Sequence, residues 1–140
     1  MKITQQESPE DREFIRNKVI EHNKASLAGN PIAQNEQVGF FARNDAGDII
    51  GGITGTAYWG NMHIDFLWVD PASRGQRIAE QLMQQIERHA RTAKYGLIMV
   101  DTFSFQAPEF YKKQGYREFG VLENHPAGHS HHYFTKQLTD

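Results

Sequence analysis

An apolar strand, a loop and an amphipathic helix follow one another along the middle of the chain, and this succession constrains the fold most. Residues 62–69 (MHIDFLWV) are apolar enough for a strand in the interior of a sheet. The helix after the loop carries an apolar stripe with i, i+4, i+8 spacing, made of Ile78, Leu82 and Ile86. A second apolar strand over residues 97–102 completes a β-α-β unit, which predicts a parallel or mixed sheet.

Helix and turn signals predict the elements on either side of this unit. Ser8 can cap a helix whose first residue is Pro9, with Asp11 reaching back in a capping box. We expect that helix to end near Leu27, before the Gly-Asn-Pro sequence at residues 29–31. Other predicted elements are a short edge strand at 2–4, strands at 37–43, 49–59, 116–122 and 132–138, and a helix at 107–114.

The order of these elements defines the expected fold class. They alternate as β-α-β-β-β-α-β-α-β-β over 140 residues, a length that suits one hydrophobic core. We therefore predict a single α/β domain over residues 1–140. Its centre would be a mixed sheet of about six or seven strands flanked by helices.

Composition excludes several classes of function. The formal net charge of −2 offers no basic excess for a run of phosphates, which argues against nucleic-acid binding. The chain has no cysteine, so disulfides, thiolate metal sites and a cysteine nucleophile are excluded. No secretory signal or apolar membrane span is evident, and we predict a soluble cytoplasmic protein that does not bind membranes.

The loop between the central strand and the helix carries the strongest functional signal. The first turn of a helix has unpaired N–H groups and a partial positive charge, which together bind anions. Arg74 and Arg77 add cationic donors beside that turn. The segment from Val69 to Ala79 resembles the Gln/Arg-x-x-Gly-x-Gly/Ala signature of the GNAT family of N-acetyltransferases, with Arg74 in the first position and Ala79 in the last.

A second motif strengthens the resemblance to this family. Residues 104–116 (SFQAPEFYKKQGY) are similar to the family's Asn-x-x-Ala-x-x-Phe-Tyr-x-x-x-Gly-Phe/Tyr pattern, with Ser104 in place of asparagine. In the first motif Arg77 replaces a glycine. We expect the fold to tolerate this change because arginine adopts helical φ/ψ values, with Gly75 supplying backbone freedom.

The resemblance implies acetyl-CoA as cosubstrate and a set of residues to hold it. The backbone of the strand before the loop would hold the pantetheine arm, the loop and helix start would hold the pyrophosphate, and Ser104 would contact the coenzyme. The implied coenzyme-binding residues are Leu67, Trp68, Val69, Arg74, Gly75, Gln76, Arg77, Ile78, Ala79 and Ser104.

Three residues are candidates for catalysis. The resemblance places Tyr111 by the thioester sulfur, where a phenol with a pKa near 10 can donate a proton to the leaving thiolate. His63 and Asp65 lie two apart on one strand and so share a face, which we expect to include Leu67 and Val69. An imidazole with an ordinary pKa near 6.5 suits a base, and Asp65 could orient it or act through water. Both could instead be structural.

Four histidines between His125 and His132 suggest zinc, but we predict no metal site. His131 and His132 are adjacent and would point to opposite faces of a strand, which prevents joint coordination. We expect this loop to line the site of the acyl acceptor.

The function that follows is acetyl transfer from acetyl-CoA to a primary amine of a small molecule or peptide. The alternative is a domain of the same fold that binds acyl-CoA without turnover. A nucleotide-binding module is disfavoured because Gly-x-x-x-x-Gly-Lys-Ser/Thr and Gly-x-Gly-x-x-Gly sequences are missing. The family often forms homodimers, so the resemblance also raises a homodimer as an expectation.

Overall fold

The computed structural model describes residues 1–27 and 35–138 of the chain. It divides into two compact units, Met1–Pro31 and Ile32–Asp140. The predicted helix stop at residues 29–31 lies outside the described residues, and the prediction of a single domain stays a prediction. Among the described residues, no helix combines the length and the apolarity that a membrane crossing requires.

Over residues 1–27, the first unit contains one helix, α1 (Pro9–Ser26). Its N-terminus is capped as predicted, because the Ser8 hydroxyl accepts a hydrogen bond from the Asp11 amide. The predicted strand at residues 2–4 is wrong, since these residues have no regular secondary structure. Three residues without a pairing partner gain no ladder hydrogen bonds.

In its described residues, the second unit is a six-stranded mixed sheet with two α-helices and a short 3-10 helix (Pro71–Ser73), which confirms the predicted fold class. Its elements are β1 (Glu36–Arg43), β2 (Ile49–Tyr58), β3 (Asn61–Val69), α2 (Ile78–Thr92), β4 (Leu97–Phe103), α3 (Pro108–Lys113), β5 (Arg117–Glu123) and β6 (Ser130–Gln137). The strands lie in the order β1-β2-β3-β4-β6-β5, and β3 and β4 are the parallel pair. Helix α2 contacts β1, β2, β3 and β4.

The core lies between α2 and the sheet. The apolar stripe predicted from the sequence is buried there, with Ile86 fully inaccessible to solvent. The largest fully buried side chains are Ile53, Met62, Ile64, Met83, Ile86, Ile98 and Phe134. Burial of each such side chain stabilises the fold by roughly 1.5–3 kcal/mol.

Two glycines of β2 let α2 approach the sheet closely. A Cβ at Gly55 would lie 2.8 Å from the Met62 sulfur and 2.9 Å from a methyl carbon of Ile86. A Cβ at Gly51 would lie 3.0 Å from Ile78 and 3.2 Å from the carbonyl oxygen of Trp68. These glycines mark a close approach of helix and sheet.

We therefore expect Gly55→Ala to lower the free energy of unfolding by about 1–3 kcal/mol through overpacking. Urea denaturation followed by circular dichroism would measure the change. Gly47→Ala is a useful comparison, because Gly47 sits at positive φ with open space around it, so its cost would come from the backbone alone. A Gly55→Ala protein as stable as the wild type would contradict tight packing here.

A β-bulge in β3 reorients its side chains. Thr54 pairs with Phe66 and Gly55 with Ile64, so Asp65 is an extra residue between the two pairs. The prediction that His63, Asp65, Leu67 and Val69 share one face is therefore wrong. His63 and Asp65 meet on one face. Leu67 and Val69 lie opposite residues of β2 that pack against α2, and they join the hydrophobic core.

Candidate functional site

The parallel strands β3 and β4 separate soon after they pair. Only two register pairs join them, Met62 with Ile98 and His63 with Met99. Beyond these pairs the β4-facing backbone edge of β3 has no strand partner among the described residues. An unpaired strand edge carries free N–H and C=O groups that an extended ligand can bind.

A cavity of about 570 Å³ lies where the strands separate. It is bounded by β3, the start of α2, the end of β4 and α3, and its lining residues are Ile64, Asp65, Phe66, Leu67, Trp68, Val69, Arg74, Gly75, Arg77, Ile78, Ala79, Val100, Asp101, Thr102, Phe105, Gln106, Ala107, Phe110 and Tyr111. Most of the predicted coenzyme-binding residues therefore line one cavity, together with Asp65 and Tyr111. Gln76, Ser104 and His63 are not among its lining residues.

The N-terminus of α2 borders this cavity with free donors. No side chain caps the helix, whose N-cap is Arg77. The amide groups of residues 75–80 have no protein acceptor among the described residues. The next amide along the chain, that of Gln81, donates a hydrogen bond to the Arg77 carbonyl. Unpaired amides at the positive end of a helix dipole form an anion-binding site.

A network of polar side chains lies at the point where β3 and β4 separate. His63 joins two carboxylates, since its Nδ1 is 2.9 Å from Asp65 and its Nε2 is 3.0 Å from Asp101. Asp65 also accepts a hydrogen bond from the Thr56 hydroxyl at 2.6 Å. The second oxygen of Asp101 lies 2.8 Å from Nε2 of His131.

These contacts set the protonation state of the network. Burial alone would lower the pKa of His63, but hydrogen bonds to Asp65 and Asp101 outweigh it and raise that pKa above 6.5. Burial would raise the pKa of Asp101, yet hydrogen bonds from His63 and His131 lower it. Both carboxylates can accept a hydrogen bond from the protonated ring, and so they favour its imidazolium form. His63 is thus a stronger base than a free imidazole once its proton has left.

Tyr111 lies on α3 at the opposite side of the same cavity. Its ring packs against Phe110, Tyr116 and Phe134. Burial, followed by the negative charge of Asp101, raises the pKa of Tyr111 to about 12. Its hydroxyl has no hydrogen-bond partner among the described residues. The group therefore stays protonated and is free to donate into the cavity.

Comparison with known proteins assigns this chain to a family. The sequence matches the acetyltransferase (GNAT) family over residues 3–116. This chain belongs to that family. A blasticidin-S acetyltransferase of Streptomyces morookaense is 36% identical over 100 residues, which are 70% of this chain and 73% of that protein. The predicted acetyltransferase activity is therefore confirmed at the level of the family.

Solved structures agree with the family assignment. The crystal structure of an acetyltransferase from Bacillus cereus superposes with a TM-score of 0.93 at 46% identity, covering 97% of each chain. A streptothricin acetyltransferase of Bacillus anthracis, solved with acetyl coenzyme A, has a TM-score of 0.65 at 21% identity. The superposition covers 83% of the chain described in this article and 68% of the Bacillus anthracis chain. At this level of identity it supports the fold.

Arg77 occupies the glycine position of the family motif in a conformation that favours glycine. Its φ and ψ are 57° and 32°, in the left-handed region. The expectation of ordinary helical angles at Arg77 is wrong. The N-cap residue of a helix lies outside the helical repeat, and this turn into α2 needs positive φ. A non-glycine residue at the start of α2 therefore carries backbone strain.

We expect Arg77→Gly to raise the free energy of unfolding by about 1 kcal/mol, because glycine adopts positive φ without a Cβ clash. Thermal and urea denaturation would measure this. Arg77→Lys is the control, since it keeps both a positive charge and the strained Cβ. Equal stability of Arg77→Gly and wild type would contradict strain at this residue.

The residue in place of the motif asparagine joins two segments of the chain. The Ser104 hydroxyl accepts a hydrogen bond from the Ser130 amide at 3.0 Å, and the Ser104 amide donates to the Ser130 carbonyl at 2.8 Å. Ser104 therefore fastens the loop after β4 to the start of β6. Its contact with coenzyme stays a prediction.

The two adjacent histidines lie on β6 and point to opposite faces of the sheet, as predicted. His131 contacts Asp101, whereas His132 contacts Glu118 and the Ser130 hydroxyl. Both carboxylate partners lie on other strands of the sheet, so the local pattern of histidines gave no sign of them. Among the described residues, no group of three or more histidines and carboxylates is arranged to hold a metal ion.

Sequence reasoning missed Asp101 and His131 as members of the site. Asp101 alternates with buried Val100 and Thr102, so its position on the other face of β4 could be read from the pattern. Its contact with His63 depends on the register between strands that are far apart in sequence. That register is not visible in a single sequence.

Proposed function

We propose that this protein is an acetyl-CoA-dependent N-acetyltransferase acting on a primary amine of a small molecule or peptide. The observation that carries the proposal is the row of free amides at residues 75–80, which borders a cavity that ends at the His63 network. The free amides are suited to binding a diphosphate, and the His63 network is suited to removing a proton from an amine.

The coenzyme would follow the cavity from the helix to the sheet. Its diphosphate would accept hydrogen bonds from the amides of residues 75–80, with Arg74 and Arg77 as neighbouring cations. The pantetheine arm has amide groups that would pair with the free backbone edge of β3 over Leu67, Trp68 and Val69. Acetyl-CoA supplies a thioester, whose carbonyl carbon is the electrophile.

The network and Tyr111 would act on the two sides of the reaction. An ammonium acceptor gives its proton to Asp101, which lines the cavity, and Asp101 passes it to neutral His63. The free amine attacks the thioester carbonyl, the carbon–sulfur bond breaks, and the acetyl amide forms as its nitrogen loses a second proton to solvent. Tyr111 donates a hydrogen bond to the departing sulfur. With a phenol pKa of about 12, full proton transfer from Tyr111 to a thiolate is uphill, so the released thiolate takes its proton from solvent.

The charges of the network favour an acceptor that arrives as a cation. Asp65 and Asp101 are two carboxylates, so the network keeps a net negative charge with His63 in either protonation state. A carboxylate next to the reacting amine would be repelled by this charge. The relative named for acetylation of blasticidin S likewise favours a small-molecule acceptor.

Amines should therefore be better acceptors than the amino acids that differ from them by one carboxylate. We expect kcat/KM to be about tenfold higher or more for agmatine, histamine and tyramine than for arginine, histidine and tyrosine. Thiol release from acetyl-CoA would measure each pair at one pH. A higher kcat/KM for the amino acid in all three pairs would contradict a net negative charge at the acceptor site.

The rival function is a domain of the same fold that binds acyl-CoA without turnover. Arg77 and Ser104, both departures from the family motifs, are the residues that favour it. Thiol release with a broad amine panel separates the two. Coenzyme binding by calorimetry, with no thiol release above the rate without protein for any amine, would support the rival. Amine-dependent release supports the enzyme.

We further propose a cytoplasmic enzyme without nucleic-acid or membrane partners, in which residues 1–140 act as one domain. The net charge of −2 and the lack of cysteine support the first part. A homodimer is the assembly that the family resemblance suggests, and sedimentation velocity would test it.

A further inference from the structure

His131 is a buried histidine that the proposed reaction does not use. It lies on β6 opposite Phe103 of β4, and only 8% of its surface is exposed. It is not among the residues that line the cavity. A buried imidazole with two polar partners needs an explanation beyond packing.

The hydrogen bonds of His131 specify how its ring is used. Its Nε2 lies 2.8 Å from one oxygen of Asp101, so Nε2 carries a proton and donates it to the carboxylate. Its Nδ1 lies 3.1 Å from the Tyr133 hydroxyl, which can donate to it and thereby hold the Nε2–H tautomer. The other Asp101 oxygen is thereby left to His63.

Aromatic neighbours fix the orientation of the ring. His131 stacks on Phe103 with a centroid separation of 4.1 Å and an interplanar angle of 23°. Tyr133 lies 4.4 Å away on the same strand, and His125 stacks at 5.5 Å. A ring clamped in this way cannot turn without disturbing several contacts.

We propose that His131 is a positioning residue for acetyl transfer. By binding one oxygen of the Asp101 carboxylate, His131 keeps the other oxygen of Asp101 directed at His63. The inference rests on the proposed function, because Asp101 must receive the proton of the amine for its orientation to matter. Without the donor on His131, the carboxylate would rotate about its side-chain bonds and lose alignment with Nε2 of His63. Misalignment of reacting groups lowers turnover strongly even when binding is preserved.

Three substitutions of His131 test the donor directly. In His131→Gln the side-chain amide places an N–H near the position of Nε2, whereas in His131→Asn it reaches only as far as Nδ1. His131→Leu keeps comparable bulk without a donor. We expect kcat to fall about 10–100-fold for His131→Leu and His131→Asn and about threefold or less for His131→Gln, with KM for acetyl-CoA unchanged in all three.

The neighbouring residue provides a matched control. His132 lies beside His131 on the same strand, but its ring contacts Glu118 and Ser130 on the other face. We expect His132→Leu to leave kcat within about twofold of wild type, whatever it does to stability. Melting temperatures of all variants would separate loss of folding from loss of turnover.

A double-mutant cycle distinguishes positioning from a structural role. If His131 acts through Asp101, His131→Leu should have no further effect on kcat in the Asp101→Asn background. A full, additive loss in that background would overturn the inference, and so would equal kcat values for the leucine, asparagine and glutamine variants.

If the leucine variant does not fold, Tyr133→Phe replaces it, since this substitution removes the hydroxyl that holds the tautomer of His131. An unchanged kcat in Tyr133→Phe would also overturn the inference. Absence of turnover in the wild type would refute the proposed function instead.

Discussion

Asp101→Asn should lower kcat/KM for the amine about 100-fold or more, because the substitution removes the group that receives the proton. It should also move the acidic limb of the pH profile. Asp101 helps to raise the pKa of His63, and the neutral ring that accepts the proton is present only above that pKa. In wild type the limb should therefore lie above pH 6.5, and in Asp101→Asn at lower pH. Initial rates of thiol release from pH 5.5 to 9.5 would measure both effects.

Glu118→Gln is the control for this experiment, since Glu118 is also a strand carboxylate bound to a histidine, His132, but on the other face of the sheet. Glu118→Gln should keep the kcat/KM of wild type and the position of the acidic limb of its pH profile. An Asp101→Asn enzyme with unchanged kcat/KM and an unmoved limb would exclude Asp101 from proton transfer.

Tyr111→Phe should lower kcat about 100-fold while the affinity for coenzyme A changes little. The phenylalanine keeps the packing of the ring against Phe110 and Phe134 and removes only the hydroxyl that donates into the cavity. Because the pKa of Tyr111 is about 12, wild type should show no loss of activity from this group below about pH 11. Steady-state rates and calorimetric titration with coenzyme A would give the two quantities.

Tyr116→Phe is the matched control, because Tyr116 is buried beside Tyr111 and its hydroxyl has no hydrogen-bond partner within the described part of the chain. Removal of an unsatisfied hydroxyl should leave kcat unchanged and should not reduce stability. If Tyr111→Phe behaved like Tyr116→Phe, the Tyr111 hydroxyl would have no part in the departure of the thiol.

The sequence predicted most elements of the second unit because each rests on local patterns. The apolar stripe of α2 and the alternation along β4 are visible within a few residues and match the buried faces. The two family motifs, read together, indicated the cavity that Arg74, Ala79 and Tyr111 line.

The features that the sequence did not reveal depend on pairing between distant strands or on backbone angles. The bulge at Asp65 adds one residue to β3 and reverses the faces of Leu67 and Val69. The contact of Asp101 with His131 requires the register of β4 against β6. The left-handed Arg77 was missed because its residue type gives no sign of positive φ.

The most direct measurement is the response of the amide resonances of residues 75–80 to coenzyme in a ¹⁵N-labelled sample. Titration with coenzyme A should shift these six amides strongly, since a diphosphate would accept their hydrogen bonds. Titration with pantetheine, which lacks the diphosphate, should leave them in place while the amides of β3 respond. Saturating coenzyme A that leaves the resonances of residues 75–80 unmoved would contradict diphosphate binding at the start of α2.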